Sequence, residues 1–143
     1  MATSARRDRD LLVDTSVAVA LTVADHDGHD DTFEALKGKR LGLAGHAAFE
    51  TFSVLTRLPA PTRRTPATVA RLLATSFPHS RFLSAKAAAE LFERLDAIGV
   101  AGSSVYDALV GATAAEHGLK LASRDRRALE IYRALGVEVE LLV

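Results

Sequence analysis

The chain has 143 residues, 48% of them hydrophobic, with 18 acidic and 18 basic residues and no cysteine. That length suits one domain with a full core, and the missing cysteines exclude disulfides, thiolate metal sites and cysteine catalysis. Zero net charge excludes a globally basic nucleic-acid binder, so any such contact needs a local patch, and the absence of Asn and Gln removes amide side chains from any oxyanion hole or adenine contact.

Residues 1–10 are polar and mixed in charge and are expected to form a short flexible N-terminal segment, with one domain over residues 11–143. The segment lacks the apolar stretch of a signal peptide, and no apolar run is long enough to span a membrane, so a cytoplasmic protein is expected. Leu11 to Asp14 reads as a short buried strand, followed by a helix from Thr15 or Ser16 to about Val23. Asp25 to Gly28 is a turn, and a second helix runs from about Asp30 to Lys37. Leu41 to Ala44 reads as a strand between Gly38 and Gly45, and His46 to Leu58 as a helix stopped by Pro59 and Pro61. Thr65-Pro66 starts a helix that ends near Thr75. Arg81 to Ser84 is a candidate strand, and Ser84 caps a helix through Ile98 that Gly99 and Gly102 end. A helix from about Ser103 to His117 stops at Gly118. The strand Leu119 to Ala122, the helix Arg126 to Leu135 and the strand Val137 to Leu142 complete the chain. Strands alternating with helices predict an α/β domain with a mostly parallel central sheet flanked by helices.

Four acids interrupt apolar surroundings: Asp14 after Leu11-Leu12-Val13, Glu50 after Ala47-Ala48-Phe49, Asp107 between Val105-Tyr106 and Ala108-Leu109-Val110, and Asp125 after the strand at Leu119 to Ala122. A carboxylate carried into a core is costly unless something pairs with it. Asp14 and Asp125 follow strand ends, where ligand sites of open α/β sheets form. Glu50 and Asp107 share helix flanks with apolar residues three or four positions away, so both are expected to point inward. Converging acids repel one another unless protons or cations intervene. Oxygen ligands from separate elements suit Mg²⁺ or Mn²⁺.

Asp14-Thr15-Ser16, Phe49-Glu50, Tyr106-Asp107-Ala108-Leu109 and Ser123-Arg124-Asp125-Arg126 together resemble the PIN-domain family of metal-dependent ribonucleases, and more narrowly the VapC toxins of type II toxin–antitoxin pairs. The resemblance runs from Leu11 to Val143 and rests on the order and spacing of the motifs. It implies a single PIN-like domain. It also implies an endoribonuclease with one or two Mg²⁺ ions held by Asp14, Glu50, Asp107 and Asp125, leaving 5′ phosphate and 3′ hydroxyl ends. Ser16 matches a small hydroxyl residue that supports the family's site, and Ser16 and Ser123 are expected to orient ligands. A homodimer and a VapB-type antitoxin, in a hetero-oligomer with the toxin, are the implied partners.

Arg124, Arg126 and Arg127 flank Asp125, and Arg63, Arg64 and Arg71 flank the Pro-rich turn; either group could contact RNA phosphates. Each acid also has a simpler reading: Asp14 or Asp125 as a helix cap, Glu50 paired with Arg57, and Asp107 in a buried ion pair. His26 and His29, among Asp25, Asp27, Asp30 and Asp31, are read as a solvated turn and helix start rather than a metal cluster. His46 begins a helix near Glu50 and is read as a capping or packing histidine. Competing functions are a haloacid-dehalogenase-like phosphotransferase, disfavoured because Ser16 stands where its second Asp belongs, and a receiver domain, which would carry a Lys where Arg124 and Asp125 stand. A metal-dependent DNA nuclease and a PIN-fold binding module with an inactive acidic pocket complete the alternatives.

Overall fold

A computed structural model describes residues 9–143. The expected N-terminal segment lies outside the described residues up to position 8, and Asp10 already belongs to the first strand. The strands are β1 (Asp10–Val13), β2 (Arg40–Leu43), β3 (Lys120–Ser123) and β4 (Val139–Leu141). The helices are α1 (Thr15–Thr22), α2 (His29–Leu36), α3 (His46–Thr56), α4 (Pro66–Ser76), α5 (Ala85–Ile98), α6 (Ser104–His117) and α7 (Leu129–Ala134).

The strands form one parallel sheet in the order β2-β1-β3-β4. Its register places Leu12 beside Gly42 on one side and Leu121 on the other. Side chains alternate between the two faces of a strand. Leu11 and Val13 therefore pack with Val17, Leu43, Leu55 and Phe77, while Leu12 packs with Val110, Ala114, Leu121 and Tyr132. Both faces are covered, as an all-parallel sheet requires. Burying a side chain such as Leu12 or Val13 contributes about 1.5–3 kcal/mol.

Helix ends follow local chemistry. Thr65 caps α4 through Thr68 N–H with Pro66 in the first turn, and Ser84 caps α5 through Ala87 N–H. Gly99 and Gly118 adopt the left-handed conformation that closes α5 and α6. Two expectations change. Arg81 to Ser84 is not a strand: a single bridge joins Arg81 to Ala44, because Ser84 turns the chain into α5 before a ladder can extend. The last helix starts at Leu129 rather than Arg126, since residues 126–128 form turns. Among the described residues, no helix is long and apolar enough to cross a membrane.

Candidate active site

β1 and β3 are neighbours, and the chain leaves them toward opposite edges of the sheet. Such a switch point opens a crevice at the strands' carboxyl ends. Asp14 leaves β1 there, and Ser123, Arg124 and Asp125 leave β3. α3 brings Glu50 and the first turn of α6 brings Asp107. All four acids line one cleft of about 80 Å³, together with Thr15, Ser16, Val110 and Tyr132. A wider hollow of about 460 Å³ lies elsewhere, but Leu43, Phe49, Phe52, Leu73, Phe77 and Phe82 line it and it carries no acid or base.

Asp14 forms the floor of the cleft and is 4% exposed. Its Oδ1 accepts from Ser16 Oγ at 2.5 Å and from Val17 N–H at 3.2 Å. Its Oδ2 accepts from Ser123 Oγ at 2.5 Å and Tyr132 OH at 3.0 Å. Each oxygen takes two donors, which fills the roughly four acceptor positions of a carboxylate. The serines also accept, Ser16 from Arg124 N–H at 2.8 Å and Ser123 from Asp125 N–H at 3.0 Å. Their hydroxyl protons are thereby directed at Asp14, so two short relays tie the turn after β3 to the end of β1. Burial raises the pKa of Asp14, against the hydrogen bonds from Ser123, Ser16, Tyr132 and Val17.

The rim is different. Asp107 has no side-chain hydrogen bond or ion pair among the described residues. Burial, then the charges of Asp125, Glu50 and Asp14, push its pKa up to about 6, with Arg127 opposing. Glu50 takes Thr15 Oγ1 at 3.1 Å on one oxygen and faces His46 Nε2 at 3.3 Å with the other. Asp125 accepts from Arg127 N–H at 2.9 Å.

The simpler readings resolve residue by residue. Asp14 does cap α1, but one backbone bond leaves the three hydroxyls on it unexplained. Glu50 is engaged by Thr15 and His46, not Arg57. Asp107 lacks the buried partner that a structural ion pair needs. Asp125 holds the turn before α7 without capping that helix. His26 accepts from Gly28 N–H, and His29 bonds Ala20 O while Asp30 and Asp31 occupy the first turn of α2.

Tyr132 is the site residue that sequence reasoning missed. It is 1% exposed and its ring is core, so its spacing on α7 resembles that of any apolar residue. Only its hydroxyl, on a carboxylate 118 residues away, marks it as part of the site. Burial, then the charge of Asp14, holds the phenol proton in place. Gly111 makes room for the ring, since a Cβ there would stand 3.0 Å from Tyr132 Cδ1. Arg124 also has a structural engagement. Its guanidinium donates to Thr32 Oγ1 at 2.7 Å and Gly28 O at 3.1 Å, tying β3 to α2. Arg126 and Arg127 remain exposed beside Asp125.

The site's donor set suits a hard divalent cation. The acids present oxygen, and positive charge would relieve the repulsion on Asp107, the rim acid without a side-chain partner among the described residues. Among the described residues, no group of three or more acids and histidines is drawn into a ready metal cage.

The PIN domain family model matches residues 11–134. The chain is 43% identical over 129 residues to Ribonuclease VapC27 of Mycobacterium tuberculosis (strain ATCC 25618 / H37Rv), covering 90% of this chain and 94% of the relative. It is 46% identical over 131 residues to Ribonuclease VapC40 of Mycobacterium tuberculosis (strain CDC 1551 / Oshkosh), covering 90% and 96%. Its fold is similar to that of VapBC2 from Rickettsia felis, solved bound to a DNA fragment from their promoter, with a TM-score of 0.66, 15% identity and coverage of 94% and 99%. The chain belongs to the PIN-domain family and, within it, to the VapC type.

Proposed function

We propose that this chain is a metal-dependent endoribonuclease, the toxin of a toxin–antitoxin pair, which hydrolyses RNA phosphodiester bonds at the cleft of Asp14, Glu50, Asp107 and Asp125. The observation that carries this reading is the gathering of four acids from separate elements into one cleft, with Asp107 left unpaired. The names of the relatives VapC27 and VapC40 as ribonucleases support the choice of substrate.

Mg²⁺ or Mn²⁺ bound between the carboxylates would supply an acidified water and positive charge for the phosphate under attack. Asp107, the acid without a side-chain partner among the described residues, would hold the ion with Asp125, which Arg127 engages, and with Glu50, whose carboxylate Thr15 and His46 orient. Asp14, fixed by its four donors, lies beneath them. A direct bond from Asp14 to the ion would displace one of its four donors. Arg126 and Arg127 would meet RNA phosphates beside Asp125.

The same reading assigns a VapB-type antitoxin as partner, supported by the likeness to VapBC2, and a homodimer as the toxin's own assembly. Exposed Phe33, Phe92 and Val143 are consistent with surfaces that partners cover. The test offers the purified chain RNA and single-stranded DNA in Mg²⁺, in Mn²⁺ and in excess EDTA. RNA is expected to be cut with either metal and spared in EDTA. Undiminished cutting in EDTA would end the metal reading, and cutting of DNA alone would make the chain a DNA nuclease.

A further inference from the structure

The acid cleft, at about 80 Å³, has room for an ion, a few waters and a phosphate oxygen. It is far smaller than the 300 Å³ or so from which pockets begin to enclose drug-sized ligands. The bases on either side of a bound phosphate must therefore rest outside it. A row of aromatic rings begins beside two of its acids, Asp107 and Glu50. Tyr106 directly precedes Asp107, and its ring lies face to face with His46, with centroids 4.6 Å apart and planes within 10°. His46 in turn reaches Glu50 through Nε2 at 3.3 Å. The row continues from His46 to Phe49 at 6.5 Å and from Phe49 to Phe82 at 6.2 Å. These rings are open to solvent: Tyr106 is 47% exposed, Phe49 66% and Phe82 53%. Two of the four acids thus follow directly in sequence after an exposed aromatic residue.

We propose that Tyr106, backed by His46 and extended by Phe49, is a stacking platform for an unpaired nucleobase of single-stranded RNA beside the phosphate at the acid cleft. Exposed rings offer π-faces to any base, and stacking tolerates sequence because every base has such a face. The pairing with His46 fixes the plane of Tyr106, so the platform is set before substrate arrives. His46 also carries that plane to Glu50, which places the platform in register with the acids. The inference rests on the ribonuclease reading and names where the base of that substrate lies.

The test uses the full chain with Asp107→Asn, which is expected to bind RNA without cutting it. The probe is a short single-stranded RNA carrying a fluorescent adenine analogue, whose emission is quenched on stacking. Adding Tyr106→Ala is expected to weaken binding by about 5- to 150-fold and abolish the quenching. Tyr106→Phe keeps both, whereas Tyr106→Leu, apolar but not aromatic, behaves like Ala. Phe49→Ala gives a smaller loss in the same direction. Equal binding by Ala, Leu and Phe at position 106, while the unsubstituted chain still cuts RNA with Mg²⁺, overturns the platform alone. A change in sedimentation mass on substituting Tyr106 or Phe49 would make the row a contact between copies of the chain and overturn it too. If the unsubstituted chain neither binds nor cuts RNA, the ribonuclease reading falls first and takes the platform with it.

Discussion

The floor of the cleft and its rim hold the same kind of group in opposite conditions. Asp14, at the floor, is buried and receives four hydrogen bonds, from Ser16, Val17, Ser123 and Tyr132. Asp107, at the rim, is half-buried, its side chain carries no hydrogen bond among the described residues, and three other acids repel it. The floor is organised by the fold; the rim is left in tension that a cation would relieve. Stability and activity should therefore come apart between the two.

The sharpest test replaces one acid from each region. Asp14→Ala orphans a buried N–H and two buried hydroxyls, and is expected to cost about 3 kcal/mol of stability as well as activity. Asp107→Asn removes repulsion without breaking a bond. It should lower cleavage on the order of 100-fold or more while leaving the metal-free melting temperature unchanged or raised. Thermal melts in EDTA beside cleavage assays in Mg²⁺ read both, and a large stability loss in Asp107→Asn would erase the distinction.

Tyr132→Phe tests whether the floor acts on the rim. The ring and its packing stay, and one donor to Asp14 Oδ2 goes. Stability should fall by about 1 kcal/mol, and the Mg²⁺ concentration for half-maximal activity should rise by about 10- to 100-fold. Mn²⁺ titration followed by electron paramagnetic resonance would report the same shift without a reaction. An unaltered metal titration would reduce Tyr132 to a packing residue.

The smallest expected effect is a pH trend. Asp107 has a folded pKa of about 6 against an ordinary 3.8, and that of Asp14 is also raised. Both hold a proton more tightly folded than unfolded. Their contribution to stability is therefore fully present below the unfolded value and is lost as pH rises through the folded one, which for Asp107 is about 6. The metal-free protein should melt higher as pH falls from about 7 to about 5, with a smaller gain in Asp107→Asn. Saturating Mg²⁺ favours the charged carboxylates and should reverse the trend. Melting curves at both pH values, with and without Mg²⁺, decide it.

Much of this was legible in the residue order, for physical reasons that also mark where reading stops. Apolar runs between Gly, Pro and hydroxyl caps place the four strands and seven helices among the described residues close to their observed bounds. The acids stood out because charge inside an apolar run is costly wherever the chain folds. Arg81 to Ser84 misled because its pairing with β2 depends on where Ser84 redirects the chain, which is a tertiary matter. Arg124 was expected near phosphate; its contacts with Gly28 and Thr32 join residues up to 96 positions apart, which local pattern does not reveal. Tyr132 escaped because one oxygen atom separates its role from that of a core phenylalanine. The stack of His46 on Tyr106 joins two helices and has no trace in local periodicity.

The adjacency of β1 and β3 has a consequence for a chain emerging from the ribosome. Asp14 is made early, and its partners Ser123 and Tyr132 follow 109 and 118 residues later. Domains mature as units during synthesis, and this one cannot complete its floor until nearly all of the polypeptide is free. A nascent or prematurely terminated product carries Asp14, Glu50 and even Asp107, and Ser16 and Val17 beside the first of them, but lacks the Ser123 and Tyr132 hydroxyls that complete its four donors. The order of synthesis thus leaves the floor of the cleft unfinished in any truncated copy.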